Sequence, residues 1–559
     1  MLIHIEVNWF ILSSRNNVCI DFCSSKRSLP KAVLAVDIET FGHYTDGMIR
    51  LISWADRNGC YVSESIDDIK ELLENPEILK VFHNALFDVT WLLAKGINVQ
   101  NYADTKVLSQ IINNRISKDN SLEILALKHF GIQLDKSLQP ENNWVGKITK
   151  EHKEYAKKDA EITYKLYSKL LQIIEDNSLE EVMFREMSAL PAVIEMQLYG
   201  MLFDYTGWEK ELQKMKIEKD AIEKEIQFIF EQPTLNLQSP IQVKEALNRL
   251  GITIESTSEE ALASLEDQHQ VIVLLRKYKK LQKRLSSFGE KLKERIGSDG
   301  RIRGSWNVIG TNTGRMSCVK PNLQGLPTVA KNYVKAPKDH LLLIADYSQI
   351  ELRVMAQLAQ DTVMMESFRN SVDLHLKTAS EIMGKPINLI SSNERKIAKT
   401  TNFGLLYGMT AYGLQKRINA AYELDVSYET SNLYRNGYFN LYKQVRSFQD
   451  AALKVDLIET MGGRVWTNIP KGDIRRLNYP IQGTSAEGLK EALAIFYNSK
   501  KPSWKVIAAI HDEIVVEVPK DDAISAKDEL VKAMKEGMNY FITDVPIEID
   551  IEISEFWKK

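Results

Sequence analysis

The sequence is poor in cysteine, and this excludes two kinds of covalently or metal-stabilised structure. The cysteines among the 559 residues are Cys19, Cys23, Cys60 and Cys318. They are scattered and lie apart from one another and from histidines, so the sequence predicts neither a disulfide framework nor a zinc site. A reducing, intracellular compartment is the expected location.

Long hydrophobic runs and a strong net charge are also absent. No apolar run approaches the length of about 20 residues that a membrane-spanning helix needs. The N-terminus contains Glu6 and no basic segment, so it is a poor secretion signal. The net charge is −3, so any nucleic-acid binding must come from local basic patches. What remains is a soluble globular chain that is too long for one core, and we expect a few domains.

Apolar runs alternate with helical patterns along residues 31–185, and this alternation predicts an α/β domain. Residues 186–297 are instead helical and polar, with clear helical spacing over 208–230. A further helix is predicted to follow. Ser239 would cap its start, Pro240 would lie in its first turn and Gly251 would stop it. A helical region is therefore predicted to follow the first domain.

Strand-like runs return in the second half of the chain. They cover 342–346 and 506–518, and a long, mostly helical insert separates them. Turn residues at "IGSDGRIRG" mark the start of this half. The simplest interpretation is a second α/β domain that is split by helices.

Both strands of the split domain carry acidic residues that are costly to bury. The apolar run "HLLLIAD" ends at Asp346, and "AIHDEIVVEV" places His511, Asp512 and Glu513 within a second run. Two buried carboxylates side by side repel each other unless a divalent cation lies between them, as in two-metal phosphoryl-transfer sites. The other interpretations are a helix N-cap for Asp346 and a strand end or hairpin turn for the second stretch.

A helical pattern between these strands combines cations with aromatic residues. Residues spaced by four share one face of this helix: Arg395, Lys399, Phe403 and Tyr407. The cations could meet phosphates and the aromatics could stack on a sugar or base, although an ordinary amphipathic helix is the alternative. Gly404 and Gly408 cost about 1 kcal/mol each in a helix interior, which indicates close approach by another group.

Three stretches, in order, resemble motifs A, B and C of the family A DNA polymerases, the bacterial DNA polymerase I group. They are "DYSQIELR", "RKIAKTTNFGLLYG" and "IHDEIVVE". The stretches "TNTGRMSCVKPNLQGLP", "DLHLKTA" and "NYPIQGTSAEG" resemble segments that lie around these motifs in the family. The resemblance covers nearly everything after about residue 31.

The resemblance implies an α/β multidomain fold. An RNase H-like 3′–5′ exonuclease domain would precede a right-hand polymerase domain of palm, fingers and thumb. The expected extents are 1–185 for the exonuclease domain, 186–300 for the thumb, 301–365 and 470–559 for the palm, and 366–469 for the fingers. Only about 30 residues precede the first motif strand, so we expect no 5′-nuclease domain.

The resemblance also implies roles around the two strand acids. Asp346, Asp512 and the Tyr347 carbonyl would hold two Mg²⁺ ions. Glu513 would be a supporting carboxylate, and Lys399 would donate a proton to the leaving pyrophosphate. The residues implied to bind the incoming nucleotide are Gln349, Glu351, His375, Arg395, Lys399, Phe403 and Tyr407. Those implied to contact the primer–template duplex are Arg315, Asn322, Gln324, Asn478, Gln482 and His511.

Two positions depart from the family pattern. The family often has an Arg four residues before the position of Asn478, where this chain has Ile474. Neither Arg475 nor Arg476 is assigned that role. Trp306 stands where family members more often have a polar or His-containing segment, and we interpret it as a core aromatic at a domain boundary.

The first domain holds a second set of acids. They are Asp37 and Glu39 in "VDIET" after a strand-like run, Asp88 in "HNALFDVTWL", and Asp159 in "YAKKDAEITY", where Tyr155 precedes it by one helical turn. Each acid alone would be typical of a cap or a solvated charge at a strand end. Together they resemble the three motifs of the Tyr-containing DEDD 3′–5′ exonucleases. This implies four carboxylates on two divalent ions, Mg²⁺ or Mn²⁺, with Tyr155 orienting the attacking water.

These features favour a proofreading DNA polymerase that acts on primer–template DNA and dNTPs. A single-subunit RNA polymerase shares the Asp pair and a similar helix, but Glu351 and the complete exonuclease set argue against it. The third alternative is a nucleic-acid-binding scaffold whose only activity is the exonuclease, and the intact polymerase acids argue against it. A monomer without membrane association is expected, in the cytoplasm or nucleoid of a cell or in the host cytoplasm if a virus encodes it.

The stretch 276–295 is the clearest basic patch, and a solvated helix face is its simplest interpretation. The resemblance assigns it to the thumb. A thumb grips the duplex backbone, so phosphate contact becomes the better interpretation.

Neutralising Lys279, Lys280 and Lys283 should weaken primer–template binding to a similar extent for all sequences. The slope of log affinity against log salt should flatten by about one unit for each phosphate that the protein no longer neutralises. A salt titration of primer–template affinity measures this slope. An unchanged slope would restore the interpretation as a solvated face.

Overall fold

The computed structural model describes residues 32–114, 119–263, 265–422 and 424–558. The predictions that concern Cys19, Cys23 and the N-terminal signal lie outside these ranges. None of the helices within the ranges combines the length and the apolar character of a membrane span.

The first domain is built on a five-stranded sheet of order β3-β2-β1-β4-β5. The strands are β1 (Val33–Phe41), β2 (Met48–Asp56), β3 (Gly59–Ser63), β4 (Leu79–Phe82) and β5 (Tyr102–Asp104). The α-helices described for this domain are α1 (Lys70–Glu74), α2 (Ala85–Ala94), α3 (Thr105–Asn113), α4 (Leu122–Phe130) and α5 (Lys150–Asp176). Strand β1 is antiparallel to β2 and parallel to β4. The predicted α/β domain is confirmed.

Strand β1 separates apolar from acidic side chains by simple alternation. The residues that enter the main core are Leu34, Val36 and Ile38. Ala35 faces the other way and packs with Ala160 of α5, and these small side chains let the helix lie close to the sheet. Asp37 and Glu39 share the face of Ala35, so both acids are directed at α5. The prediction that these two acids follow the strand is wrong, because the strand continues to Phe41.

A helical region follows, as predicted. Its described α-helices are α6 (Glu180–Tyr199), α7 (Tyr205–Ile229), α8 (Pro240–Arg249), α9 (Glu259–Ala263) and α10 (Gln270–Phe288). The helix predicted over 208–230 is α7. The signals around α8 are confirmed, since the Ser239 side chain accepts a hydrogen bond from the Gln242 backbone N–H and Gly251 adopts a φ of +78°.

The basic stretch lies largely on α10, which packs against α7. Lys280 and Lys283 are exposed to solvent. Lys279 is half-buried, and its amine donates to the backbone carbonyl of Thr257. The predicted change in salt dependence therefore rests mainly on Lys280 and Lys283.

The second α/β domain combines two separate stretches of chain, as predicted, in a four-stranded sheet of order β13-β14-β10-β15. The strands from the helical region onward are β6 (Met201–Leu202), β7 (Arg301–Ile302), β8 (Ser305–Asn307), β9 (Ser317–Val319), β10 (His340–Tyr347), β11 (Ile458–Glu459), β12 (Val465–Trp466), β13 (Lys505–Ile510), β14 (Glu513–Pro519) and β15 (Ile549–Ser554). The α-helices described after α10 are α11 (Thr328–Lys331), α12 (Ile350–Ala359), α13 (Thr362–Arg369), α14 (Leu374–Met383), α15 (Ser392–Leu406), α16 (Ala411–Tyr422), α17 (Tyr428–Leu441), α18 (Lys443–Ala452), α19 (Arg475–Ser499) and α20 (Ala523–Asn539).

The prediction of one strand over 506–518 is wrong. The segment forms two antiparallel strands, β13 and β14, joined by a turn at His511 and Asp512. Apolar residues flank this turn on both sides, which makes the sequence look like one continuous strand. His511 has a φ of +58°, so the chain reverses at the acidic residues and Asp512 is not inside a strand.

Helix α6 joins the two domains through buried charges. Glu186 is fully buried and accepts hydrogen bonds from Lys490 at 2.6 and 2.7 Å and from Arg464. Lys490 also donates to the Gly314 carbonyl at 2.6 Å. Arg464 reaches the side chain of Asn114, which follows α3, at 3.5 Å. Burial lowers the pKa of Lys490 to about 8, while the charge of Glu186 opposes this shift.

Two of the domain limits predicted from the sequence fall inside helices. The limit between residues 185 and 186 lies within α6, and the limit between 365 and 366 lies within α13. Helix α6 packs against α2 and α3 of the first domain and against α19 and β13 of the second. It therefore forms part of the contact between the two domains.

Glu186→Gln should lower the free energy of unfolding by about 3–5 kcal/mol, because it removes the carboxylate to which the buried Lys490 and Arg464 are bonded. Asp450→Asn is the matched control. It breaks an exposed pair with Arg446 that is worth about 0–1 kcal/mol. Urea unfolding of both variants gives the comparison, and equal reductions would contradict a dominant role for the buried network.

Candidate active sites

The acids of the first domain converge where β1 faces α5. Ligand oxygens of Asp37, Glu39 and Asp159 all lie within 4.8 Å of one another. Asp88 of α2 is buried beside them, and its Oδ1 accepts a hydrogen bond of 3.2 Å from the Ile38 backbone N–H. The structure therefore brings the four predicted exonuclease acids to one place.

This cluster suits a divalent cation. Burial, and then the charge of Asp159, holds the pKa of Asp37 well above its ordinary value. The pKa of Glu39 is raised by burial and by Asp37. Among the described residues, the buried Oδ2 of Asp37 has no hydrogen-bond partner. Closely spaced carboxylate oxygens that repel one another are typical ligands of Mg²⁺ or Mn²⁺.

A lysine that the sequence did not reveal lies at the edge of this cluster. The amine of Lys136 donates to Asp159 Oδ2 at 2.6 Å and to the Tyr155 hydroxyl at 3.3 Å. It also lies 5.0 Å from the centre of the Tyr155 ring. Lys136 is on the segment between α4 and α5, where no helical or strand periodicity relates it to the acids, so only the folded chain brings them together.

An open cleft of about 730 Å³ lies over the acids. Phe87 and Asn84 form part of its wall, and Asn307 of β8 contributes from the second half of the chain. Both halves of the molecule therefore supply walls of a cleft that is large enough for a nucleotide.

The acids of the split domain meet through strand pairing. Asp346 of β10 lies opposite Glu513 of β14 and opposite Asp550 of β15. The Tyr347 backbone N–H donates to the Asp512 carbonyl at 3.2 Å, so the turn that carries Asp512 is fixed beside Asp346. The N-cap interpretation of Asp346 is wrong, because the next helix begins at Ile350 and its cap is Gln349.

Two further groups belong to this acidic edge. Glu513 is almost completely buried, and the Lys331 amine lies 3.4 Å from its Oε1. Asp550 was not predicted, because the strand pattern "IEIDIEIS" carries acids at every second position and gives none of them a distinct signal. Carboxylate and carbonyl oxygens are typical ligands of divalent cations, so the chemistry of these groups suits such an ion.

Glu351 links two of the predicted binding groups. On helix α12 it pairs with Arg315 and accepts a hydrogen bond from the Tyr407 hydroxyl. Burial, and then the neighbouring Glu351 charge, raises the pKa of Tyr407, so its hydroxyl remains protonated and can donate. Gln482 also bonds to Tyr407. Through Glu351, the structure thus connects Arg315, a predicted DNA-contact residue, with Tyr407 of the predicted nucleotide pocket.

Helix α15 presents the predicted phosphate-binding cations. Arg395 is held by Asp373, with its Nε 2.8 Å from Asp373 Oδ2, and Lys399 is exposed. The helix ends at Leu406, so Tyr407 is its C-cap and not an interior residue.

His375 and Phe403 lie together beside the C-terminal half of α15. Their ring centres are 5.9 Å apart, and His375 Nδ1 is 2.8 Å from the Asn402 side-chain amide. Burial lowers the pKa of His375 to about 4, so the imidazole is neutral at pH 7. The predicted nucleotide pocket therefore has a neutral hydrogen-bonding group beside an aromatic ring.

The sequence predicted that another group comes close to the two glycines near the end of α15. In the structure, side chains of the same chain come close to them. A Cβ on Gly408, whose φ is +77°, would lie 2.6 Å from Leu477 Cδ1. A Cβ on Gly404 would lie 3.0 Å from the Met409 sulfur. The left-handed backbone at Gly408 favours glycine there, and at both positions a Cβ would crowd the end of a flexible side chain.

Of the remaining predicted DNA contacts, Gln324 and His511 lie by the β13–β14 hairpin. Gln324 donates to the Ala509 carbonyl at 3.1 Å, and Asn322 accepts from the Gly325 backbone N–H at 3.1 Å. Asn478 has a buried Oδ1 without a hydrogen-bond partner among the described residues. His511 is exposed at the hairpin turn.

The two arginines that follow Ile474 are engaged by other partners. Ile474 is 61 % exposed. Arg476 is fully buried and donates to backbone carbonyls, and Arg475 pairs with Asp473. Neither arginine is therefore placed to replace the missing one. Trp306 is buried, as predicted.

Comparison with known families decides the classification. A family profile described as "DNA polymerase family A" matches residues 207–559, and one described as "3′-5′ exonuclease" matches residues 14–175. The chain belongs to DNA polymerase family A. It joins a 3′–5′ exonuclease domain to a polymerase domain of that family.

Relatives and a solved structure agree with this membership. DNA polymerase I of Aquifex aeolicus is 29 % identical, with 96 % of this chain and 99 % of that protein aligned. For DNA polymerase I of Pseudomonas aeruginosa the identity is 29 %, and the alignment covers 88 % of this chain but 57 % of the relative. The POL domain of Pol1 from M. smegmatis, solved in complex with DNA primer–template and dNTP, has a TM-score of 0.84 at 22 % identity over 95 % of this chain and 96 % of that one. That similarity establishes the fold of this family A member.

Proposed function

We propose that the chain is a template-directed DNA polymerase that extends a primer 3′ end with dNTPs and proofreads it in the 3′–5′ direction. The observation that carries the proposal is the separation of two acid groups onto two sheets. Asp346 and the Asp512 turn lie on the four-stranded sheet, whereas Asp37 and Glu39 lie on the five-stranded sheet. Two separate sites can perform two reactions on the same primer end.

At the polymerase site, Asp346, Asp512 and the Tyr347 carbonyl would hold two Mg²⁺ ions. Ions held there would activate the primer 3′-hydroxyl and neutralise charge on the triphosphate and on the leaving pyrophosphate. Glu513 would support these ligands from the adjoining strand position. The fit rests on the oxygen-only donor set at the strand ends.

The chain's own cations would bind the nucleotide. Arg395 would release Asp373 and grip the triphosphate, and the exposed Lys399 would donate a proton to the departing pyrophosphate. The neutral His375 and the Phe403 ring would line the sugar and phosphate pocket. In the duplex groove, Asn322, Gln324 and Asn478 would contact positions that all base pairs share.

At the exonuclease site, Asp37, Glu39, Asp88 and Asp159 would hold divalent ions that supply an activated water for phosphodiester hydrolysis. Tyr155 would orient this water through its hydroxyl. The primer end would enter the cleft between the two halves of the chain. This assignment is supported by the 4.8 Å clustering of the acidic ligand atoms.

Asp346→Asn or Asp512→Asn should abolish nucleotide addition and leave primer degradation intact. Conversely, Asp37→Ala combined with Glu39→Ala should remove 3′–5′ degradation and spare extension. Primer extension and single-strand digestion with each purified variant provide the measurements. Loss of both activities in a folded Asp346→Asn variant would refute the assignment of separate sites.

Glu351→Ala should sharply raise the use of ribonucleotides, because the carboxylate side chain would fill the space that a 2′-hydroxyl needs and leave that hydroxyl without a partner. Glu351→Gln is the matched control, since it keeps the side-chain size but loses the charge that pairs with Arg315. We expect Glu351→Gln to retain most of the discrimination. Single-nucleotide extension gives the ratio of dNTP to rNTP use.

A wild-type enzyme that uses both sugars equally would favour the RNA-polymerase alternative. If Glu351→Gln reduced discrimination as much as Glu351→Ala, the ion pair with Arg315 and not the volume of the side chain would be responsible.

A further inference from the structure

Lys136 is a cation in direct contact with the acid cluster of the exonuclease domain. Its side chain is 19 % exposed, and its amine is 2.6 Å from Asp159 Oδ2. Its charge also lowers the pKa of Asp37 and of Glu39, and so opposes the rise in pKa that burial causes. One ammonium therefore offsets part of the repulsion among three carboxylates.

The same side chain orients Tyr155. The Lys136 amine donates to the Tyr155 hydroxyl at 3.3 Å and lies 5.0 Å from the centre of its ring. Tyr155 in turn bonds to Asp159. A lysine that holds both partners fixes where the tyrosine hydroxyl stands relative to the carboxylate.

The position of Lys136 creates a conflict with metal binding. Asp159 belongs to the three acids whose ligand oxygens lie within 4.8 Å of one another. A divalent ion bound to this group and the Lys136 ammonium would compete for the Asp159 carboxylate, because two cations cannot share one carboxylate closely without repulsion.

We propose that Lys136 is a positioning residue of the exonuclease site that competes with the divalent ion for Asp159 and holds the Tyr155 hydroxyl in place. Without the ion, Lys136 stabilises the acids. When an ion takes Asp159, the lysine gives up that carboxylate and keeps Tyr155. This inference rests on the exonuclease site proposed above.

Removing the lysine should raise the affinity for the metal ion, because a competitor is lost, and should lower the digestion rate, because Tyr155 is no longer positioned. Lys136→Met keeps the approximate length of the side chain but removes its charge and its hydrogen bonds. The variant should bind Mn²⁺ about threefold more tightly or better, since the competing cation is gone. It should nevertheless digest single-stranded primer about 10–100-fold more slowly, through kcat, because the Tyr155 hydroxyl is no longer held in place.

The experiment uses the full chain. Mn²⁺ binding is titrated by electron paramagnetic resonance in an Asp346→Asn, Asp512→Asn background, which removes the two carboxylates proposed to bind metal at the polymerase site. Digestion and primer extension are measured in the otherwise unmodified chain. Lys136→Arg should restore part of the digestion rate and keep Mn²⁺ affinity near that of the parent.

Lys106→Met is the matched control for the Mn²⁺ titration. Lys106 lines the same cleft, and its amine donates to Asn84 Oδ1 at 3.0 Å. Its removal should change Mn²⁺ affinity less than the removal of Lys136. Equal gains in affinity from both variants would mean that general charge, and not contact with Asp159, is responsible, and this would overturn the inference.

Two other results would also overturn it. Weaker Mn²⁺ binding by Lys136→Met would indicate a purely structural role, and an unchanged digestion rate would exclude positioning. Adding Asp37→Ala and Glu39→Ala to the same background shows whether the measured Mn²⁺ binds at the proposed exonuclease site. If Mn²⁺ binding survived those changes, the metal site itself would be wrong. If it disappeared while Lys136→Met had no effect, only the role of Lys136 would be wrong.

Discussion

Carboxylates held together away from water repel one another, and a fold that buries them must offset this repulsion with nearby cations. In the exonuclease domain, Asp37 has a raised pKa, and the Lys136 ammonium beside Asp159 offsets only part of the repulsion. In the polymerase domain, the buried Glu513 has Lys331 within 3.4 Å. Glu186 instead has two cations bonded to it. The exonuclease acids, whose charge is only partly offset, suit added cations, whereas Glu186 with its two bonded cations is structural.

The two sheets hold acidic residues at fixed positions relative to one another. A carboxylate on a central strand cannot move away from its neighbours, because backbone hydrogen bonds fix the strand on both sides. Asp346 is held in this way between β14 and β15, and Asp37 lies on β1, whose neighbours in the sheet are β2 and β4. Proposed metal ligands on such strands keep their spacing whether or not an ion is bound, which is the condition for a preorganised site.

A chain of contacts runs from the domain junction to the nucleotide pocket. Glu186 holds Lys490, and Lys490 holds the Gly314 carbonyl. The next residue, Arg315, pairs with Glu351 beside the proposed sugar position. The buried network therefore does more than stabilise the junction, because it fixes the backbone of a segment that contributes a side chain to the proposed active site.

The sequence by itself determined the family, the two acid sets and the α/β character of both domains, because long motifs and apolar periodicity are local properties of the chain. For the Asp512 stretch it left a continuous strand and a hairpin turn both open, and the structure has the hairpin, since apolar residues on both sides of a short turn look like one strand. Lys136, Asp550 and Glu186 were found only in the tertiary structure. Each acts through a partner that is distant in sequence or on a neighbouring strand, and no local pattern encodes which charges meet once the chain has folded.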